Sequence, residues 1–178
     1  MLYFWKKGIA SKKLIMIKKI VLLLFISLIV NSCTKDDICS EGTPTTPFLV
    51  VTFKNHDNPL FSKSVNNLTI STIVDNDTIH IIKSTTTDSI AIPLRTGFDF
   101  TDYLFVENDD NISIENTDKI NFNYQRESVY INRACAFKAI YNFLSADRET
   151  DTENWIDEIT VNKFTVENEN EAHVTVFH

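Results

Sequence analysis

The hydrophobic pattern divides the chain into one continuous apolar run near its start and many short alternating runs after residue 48. The first run, Ile20 to Val30, lies between Lys18-Lys19 and Asn31-Ser32-Cys33. It is too short for an ordinary spanning helix, which takes about 20 apolar residues. A basic segment, a short apolar core and a small residue ahead of a cut describe a secretory signal. The later runs are rich in β-branched and aromatic residues and are divided by Asn/Asp turns, as strands are. Phe48–Phe53 is a near-continuous apolar strand. Leu68–Val74 and Ile79–Lys83 flank Asp75-Asn76-Asp77-Thr78 as a hairpin, and Ser89–Leu94 turns Ile90, Ile92 and Leu94 inward, with Pro93 marking an edge or a bulge.

Tyr103–Val106 and Ile112–Glu115 read as strands bracketing the acidic tip Glu107–Asn111. Lys119–Gln125 has the cleanest alternation, with Ile120, Phe122 and Tyr124 on one face and Asn121, Asn123 and Gln125 on the other. Val129–Tyr141 is expected to return against it after Arg126-Glu127-Ser128. Phe137, Ile140, Tyr141 and Leu144 also fit a helical stripe, so residues 134–144 stay open between strand and helix. Trp155–Val161, Phe164–Val166 and Ala172–Phe177 complete the series. Many short strands without a long helical period indicate an all-β fold, a single antiparallel β-sandwich of the immunoglobulin-like or prealbumin-like kind with seven to nine strands. Only Gly42 and Gly97 follow the leader, so Asn and Asp must supply most turns that need left-handed backbone.

The segment Val30-Asn31-Ser32-Cys33 resembles a lipobox, the motif at which bacterial lipoprotein signals are cut and the new N-terminal cysteine is acylated. Met16-Ile17-Lys18-Lys19 is a better beginning for such a signal than Met1, which precedes aromatic residues and two further lysine pairs. The expected organisation is a leader over 1–32 with translation starting at Met16, a lipidated Cys33 and tether over 33–47, and a β-sandwich over 48–178. Glu41–Pro47 reads as an extended linker stiffened by Pro44 and Pro47. Thr34 stands where an aspartate retains lipoproteins at the inner membrane in some bacteria. Lys35-Asp36-Asp37 resembles the signal that, in one group of Gram-negative bacteria, sends lipoproteins to the outer face of the outer membrane. The resemblance implies an outer membrane lipoprotein, exposed at the cell surface, with a periplasm-facing orientation as the alternative.

Cleavage before Cys33 removes six lysines and no acidic residue, so the formal charge of −7 becomes −13. Such a surface repels nucleic acid and anionic head groups, leaving the lipid as the means of membrane attachment. Once Cys33 carries lipid, Cys39 and Cys135 remain, and in an exported chain that pair reads as a disulfide. Closing so long a loop is worth roughly 4 to 5 kcal/mol on chain-entropy grounds. Neither cysteine has a second cysteine or histidine at zinc-ligand spacing.

Candidate chemistry is sparse. There is no Gly-x-Ser-x-Gly elbow and no glycine-rich phosphate loop. His56, His80, His173 and His178 offer no ligand set, and odd spacing sends His173 and His178 to opposite faces of a strand. Asp75-Asn76-Asp77 and Glu107–Asn111 do not match a calcium loop. No spacing singles out two carboxylates for glycoside cleavage. Tyr130, Tyr141 and Trp155 are the aromatic candidates for sugar binding, with Trp155 better placed in a core. No catalytic, cofactor-binding or metal-ligating residue is therefore assigned.

Several stretches together resemble an uncharacterised family of Gram-negative lipoproteins catalogued as a domain of unknown function. They are Cys33-Thr-Lys-Asp-Asp-Ile-Cys39, Thr43-Pro-Thr-Thr-Pro47, Thr87-Asp-Ser-Ile-Ala-Ile-Pro-Leu-Arg95, Asn121-Phe-Asn-Tyr-Gln-Arg126, Arg133-Ala-Cys135 and Ala172-His-Val-Thr-Val-Phe-His178. Ala136 departs from the glycine expected after Cys135. The resemblance implies an address and a β-rich fold but no catalytic residues. The expected function is a lipid-anchored, non-enzymatic binding or assembly module for an envelope protein or glycan, with an envelope hydrolase using loop carboxylates as the alternative.

Overall fold

A computed structural model of the chain describes residues 16–23 and 38–178. Residues 16–23 are helical, and no helix among the described residues is long and apolar enough to cross a membrane. The rest of the expected leader, the cleavage site and Cys33 lie outside the described residues. Gly42–His178 forms its own unit. It contains ten strands: β1 (Leu49–Lys54), β2 (Val65–Val74), β3 (Asp77–Thr87), β4 (Ser89–Ile92), β5 (Phe100–Glu107), β6 (Asn116–Asn132), β7 (Ala136–Arg148), β8 (Glu158–Val161), β9 (Thr165–Val166) and β10 (Val174–Phe177).

These strands build a β-sandwich of two packed sheets, as the alternation predicts. One sheet has the order β4-β1-β10-β8 and the other β3-β2-β5-β6-β7-β9. Every pairing is antiparallel except β1 with β10, which run parallel with Val51 opposite Val174. Alternation places Leu49, Val51 and Phe53 of β1 and Ile120, Phe122 and Tyr124 of β6 in a single core with Tyr103, Phe105, Tyr141 and Val176. Asp75 and Asn76 connect β2 to β3 with φ of 51° and 71°, the left-handed pair of a two-residue hairpin turn. Asn67 and Asn108 also take positive φ, so Asn and Asp make four of the seven left-handed non-glycine positions described.

Two expected elements differ in kind from the sequence expectation, and one segment left open is resolved. Ile112–Glu115 is not a strand but part of the β5–β6 loop, where Ile112 is exposed and Asn111 organises the turn by accepting the Ile114 and Glu115 amides. The turn expected at Arg126-Glu127-Ser128 is continuous β6, and the reversal comes at Arg133-Ala134-Cys135, where Asn132 Oδ1 accepts the Cys135 amide at 2.8 Å. The open segment 134–144 is strand from Ala136 onward, so the spacing of its apolar residues has a cause other than a helix. One cause is a bulge. Asn123 pairs with Ser145 and Gln125 with Asn142, leaving Phe143 and Leu144 opposite Tyr124. Phe143 has φ of 57°, a left-handed conformation that bulky residues avoid, and its ring is exposed while Leu144 and Tyr141 are buried. The segment read as a linker is tied to the edge of β7 at one point, where Thr46 Oγ1 accepts the Ala139 amide at 3.0 Å.

Three tyrosine hydroxyls hold the crossing between the sheets. The chain leaves the four-stranded sheet after Ile92 and enters the six-stranded sheet at Phe100. Tyr103 on β5 donates to the Pro93 carbonyl, Tyr141 on β7 to Leu94 at 3.1 Å, and Tyr124 on β6 to Arg95 at 3.0 Å. Thr101 Oγ1 lies 2.6 Å from the Tyr124 hydroxyl and accepts the Arg95 amide at 2.9 Å. Burial raises the pKa of all three phenols, that of Tyr141 to about 12, so they remain donors at any ordinary pH. We predict that Tyr103→Phe and Tyr141→Phe each lower unfolding free energy by about 1–3 kcal/mol, because each strands a buried carbonyl. Tyr130→Phe, on an exposed ring, should stay within about 0.5 kcal/mol in the same urea titrations.

Candidate functional site

The same alternation that buries Ile120, Phe122 and Tyr124 sends Lys119, Asn121 and Asn123 to the outer face of the six-stranded sheet. Register assembles a polar surface around them. Asn121 stands between Asp102 of β5 and Asp147 of β7, and Asn123 between Phe100 and Ser145. Asn121 donates its amide to Asp102 Oδ1, and Asn123 donates to Asn121 Oδ1, forming a chain of side-chain hydrogen bonds along β6. Lys119 and Glu149 close one side with an ion pair of 3.1 Å. The result is a shallow depression of about 290 Å³ lined by Asp102, Lys119, Asn121, Asp147, Arg148 and Glu149.

An aromatic shoulder adjoins this surface at Phe100. Its ring meets Phe98 edge-on at 6.0 Å, and the Arg95 guanidinium sits 5.0 Å from the Phe98 ring centroid. Both rings are substantially exposed. Arg126 fixes the loop that carries them, donating to Asp99 Oδ1 at 2.7 Å and to the Thr96 carbonyl at 2.6 Å. The hydrogen bonds that Asp99 accepts from the Arg126 side chain and backbone amide hold its carboxyl below the ordinary range. The Asn121/Asn123 face was legible from alternation. Phe98 and Phe100 were not, because neither belongs to an alternating pattern readable before the direction of β5 is known.

The sequence candidates disperse. Tyr141 is fully buried, and Trp155 is buried with its indole donating to the Phe105 carbonyl at 3.1 Å. Tyr130 is exposed on β6, where its ring meets Phe137 edge-on at 5.4 Å. Both acidic tips are turns tied into the fold, with Asp109 accepting the Thr69 hydroxyl at 2.6 Å. Among the described residues no group of three His, Cys, Asp or Glu is arranged for a metal ion. Cys39 and Cys135 are disulfide-bonded.

The histidines are far apart in role. His80 is exposed on β3, and His178 meets the rings of Phe53 and Trp155 edge-on. His173 borders a second depression of about 200 Å³ with Lys163, Thr165, Glu167, Asn168 and Glu171. Its Nδ1 accepts the Val50 amide at 3.0 Å while its own amide donates to the Val50 carbonyl at 2.9 Å. The ring is therefore part of the β1–β10 junction, with its acceptor nitrogen already committed. Burial lowers the pKa of His173 and of His178.

A family model of unknown function, DUF6452, matches residues 67–178. The chain belongs to this family. No curated protein and no solved structure matches it. The matched span begins within β2, yet β1 lies outside it and forms the centre of the four-stranded sheet between β4 and β10. A domain trimmed to the matched residues would lose that strand and the Val50 partner of His173.

Because folding depresses the pKa of His173, its contribution to stability is complete above about 6.5, the unfolded value, and is lost as pH falls through the lower folded value. His178 acts in the same sense. We predict that the domain loses stability as pH falls below about 6.5, and that His173→Asn, which keeps an acceptor for the Val50 amide without titrating, flattens that slope without abolishing it. Urea unfolding at several pH values measures both.

Proposed function

We propose that this protein is a lipid-anchored lipoprotein of the cell envelope, held in the outer membrane through Cys33 and acting as a non-enzymatic binding module with a glycan as its ligand. The observation that carries the ligand class is the exposed Phe98–Phe100 pair beside the Asp102–Asn121–Asn123–Asp147 surface. Aromatic faces take the C–H faces of sugars, and neighbouring amides and carboxylates take their hydroxyls. A shallow groove on a rigid sheet suits an extended polymer better than a small molecule, which a deep apolar pocket would serve. The lipoprotein part rests on the resemblance of Val30–Cys33 to a lipobox and of Lys35-Asp36-Asp37 to a surface-export signal.

A second reading as a hydrolase has one observation in its favour. Asp102 and Asp147 flank Asn121 across two ladder spacings, which puts their backbones roughly 10 Å apart. Against it, Asp147 and Glu149 are exposed, and Asp102 already accepts the Asn121 amide. Nothing there dries a carboxyl into a general acid.

The full-length protein in detergent is tested on an array of envelope glycans, with titration calorimetry on any hit. Phe100→Ala and Asn121→Ala should each weaken binding by about tenfold, or about 1.4 kcal/mol, without loss of fold. Absence of any glycan hit, or binding indifferent to both substitutions, would sink the glycan reading. Release of reducing ends that Asp102→Asn and Asp147→Asn abolish would favour the hydrolase. Intact mass of the native protein without reductant should show acyl chains on Cys33, and an uncut leader would remove the anchor.

A further inference from the structure

The β6–β7 hairpin carries an unusual charge distribution for so acidic a chain. Between Glu127 and Asp147 there is no acidic residue, while Arg133 lies in the turn and Lys138 on β7. The opposite end of β6 is the reverse. From Glu107 to Asp118 the chain holds Glu107, Asp109, Asp110, Glu115 and Asp118 and no basic residue. Beside the turn, Tyr130 and Phe137 face each other across the two strands and are 58% and 63% exposed. An exposed aromatic pair next to an arginine, on a hairpin whose own strands carry no carboxylate between Glu127 and Asp147, is the composition found where protein meets a lipid head-group layer. The acidic residues nearest it are Glu167, whose carbonyl accepts Lys138 Nζ at 3.1 Å, and Asp36, Asp37 and Glu41, beside Cys39 in the sequence.

Covalent connectivity brings that end of the hairpin to the membrane. Cys135, in the turn, is disulfide-bonded to Cys39. Cys39 follows Cys33 by six residues, which span roughly 20 Å at full extension. A bilayer holding lipid on Cys33 would therefore have the Arg133–Cys135 turn within reach of its surface. Repulsion between anionic head groups and the Glu107–Asp118 end opposes the inverted orientation. A strand of 17 residues separates the two ends by roughly 55 Å, so only one of them can lie at the surface when β6 stands away from it.

We propose that the tip of the β6–β7 hairpin, with Tyr130, Arg133 and Phe137, is a membrane-contact site that seats the domain upright on the bilayer holding its own lipid anchor. This rests on the lipoprotein reading of Cys33. The orientation carries the Phe98–Phe100 surface away from the disulfide-tied end, since Phe100 pairs with Asn123, in the half of β6 before Tyr130. A lipid chain alone would leave the domain tumbling on its tether, whereas a second contact restricts it.

The test uses the full-length, acylated protein in vesicles of phosphatidylethanolamine and phosphatidylglycerol, with lipids brominated near the glycerol as quenchers. Tyr130→Trp and Phe137→Trp place reporters at the tip, and Ile112→Trp places one in the β5–β6 loop at the far end. All three positions are exposed, and buried Trp155 gives a background removed by the parent protein. Bromolipid should cut the emission of both tip reporters by roughly half and leave that at Ile112→Trp unchanged. Vesicle flotation with unquenched tip reporters, or with equal quenching at Ile112→Trp, overturns the contact site and leaves the anchor standing. A parent that carries no acyl group and fails to float overturns the anchor and the proposal together.

Discussion

The sandwich depends on three phenol hydroxyls reaching one stretch of backbone. Pro93, Leu94 and Arg95 lie where the chain passes from one sheet to the other, and a segment that changes sheets cannot keep its carbonyls in either ladder. Tyr103, Tyr124 and Tyr141 come from adjacent strands β5, β6 and β7, so their hydroxyls address three consecutive carbonyls from one side. The network is directional. If Tyr124 donates to Arg95, Thr101 must donate to Tyr124 and can still accept the Arg95 amide, which is how the hydroxyl inventory closes without a stranded donor. The rings fill the core while the hydroxyls fix the crossing, so packing and register support each other.

Asp118 does the same work for the 149–157 segment. Its buried carboxylate accepts the Ile156 amide and the Asn154 side-chain amide, each at 2.8 Å, while Trp155 reaches the Phe105 carbonyl on the neighbouring strand. A buried carboxylate is a common mark of catalysis, yet these partners occupy both of its oxygens. Buried Asp118, His173 and the three tyrosines are all committed to holding backbone. What remains for recognition is the outer surface, which is why the functional reading rests on a shallow polar sheet face and an exposed hairpin rather than on a cleft.

Alternation made most of the fold legible. Ile120, Phe122 and Tyr124 are buried as the pattern requires, the Asp75-Asn76 turn lies where its residue types predict, and Trp155 enters the core. The errors fall where register, rather than composition, decides. Arg126-Glu127-Ser128 has turn chemistry but sits mid-strand, because Arg126 is held by Asp99 and Glu127 by the Asn142 amide across the ladder. Within the helical stripe of Phe137, Ile140, Tyr141 and Leu144, the last two share the core face because a bulge shifts the strand's phase at Phe143, while Phe137 is exposed. The aromatic shoulder at Phe98 and Phe100 was invisible for a related reason. Only after Thr101, Tyr103 and Phe105 are known to point inward must Phe100 point out.

The edges of the sheets explain why binding is assigned to a face rather than to strand addition. Three of the four edge strands, β4, β8 and β9, have four residues or fewer. Only β3 is long, with 11 residues and one neighbour, and it would be the obvious template for a partner strand. Its ladder with β2 is interrupted three times. Ile82 pairs with Ile70 and His80 with Ser71, so Ile81 is extra, and Ser84 takes φ of 43° just beyond. A bulge turns successive N–H and C=O groups out of line and increases local twist, leaving only short runs of regular edge. An incoming strand would find four regular residues, Asp77–His80, before its hydrogen bonds fell out of register. Too few main-chain bonds form there to offset the entropy of ordering a free peptide. The flat outer face of β5, β6 and β7 has no such interruption before the Phe143 bulge, and it is there that a ligand can meet a continuous row of side chains.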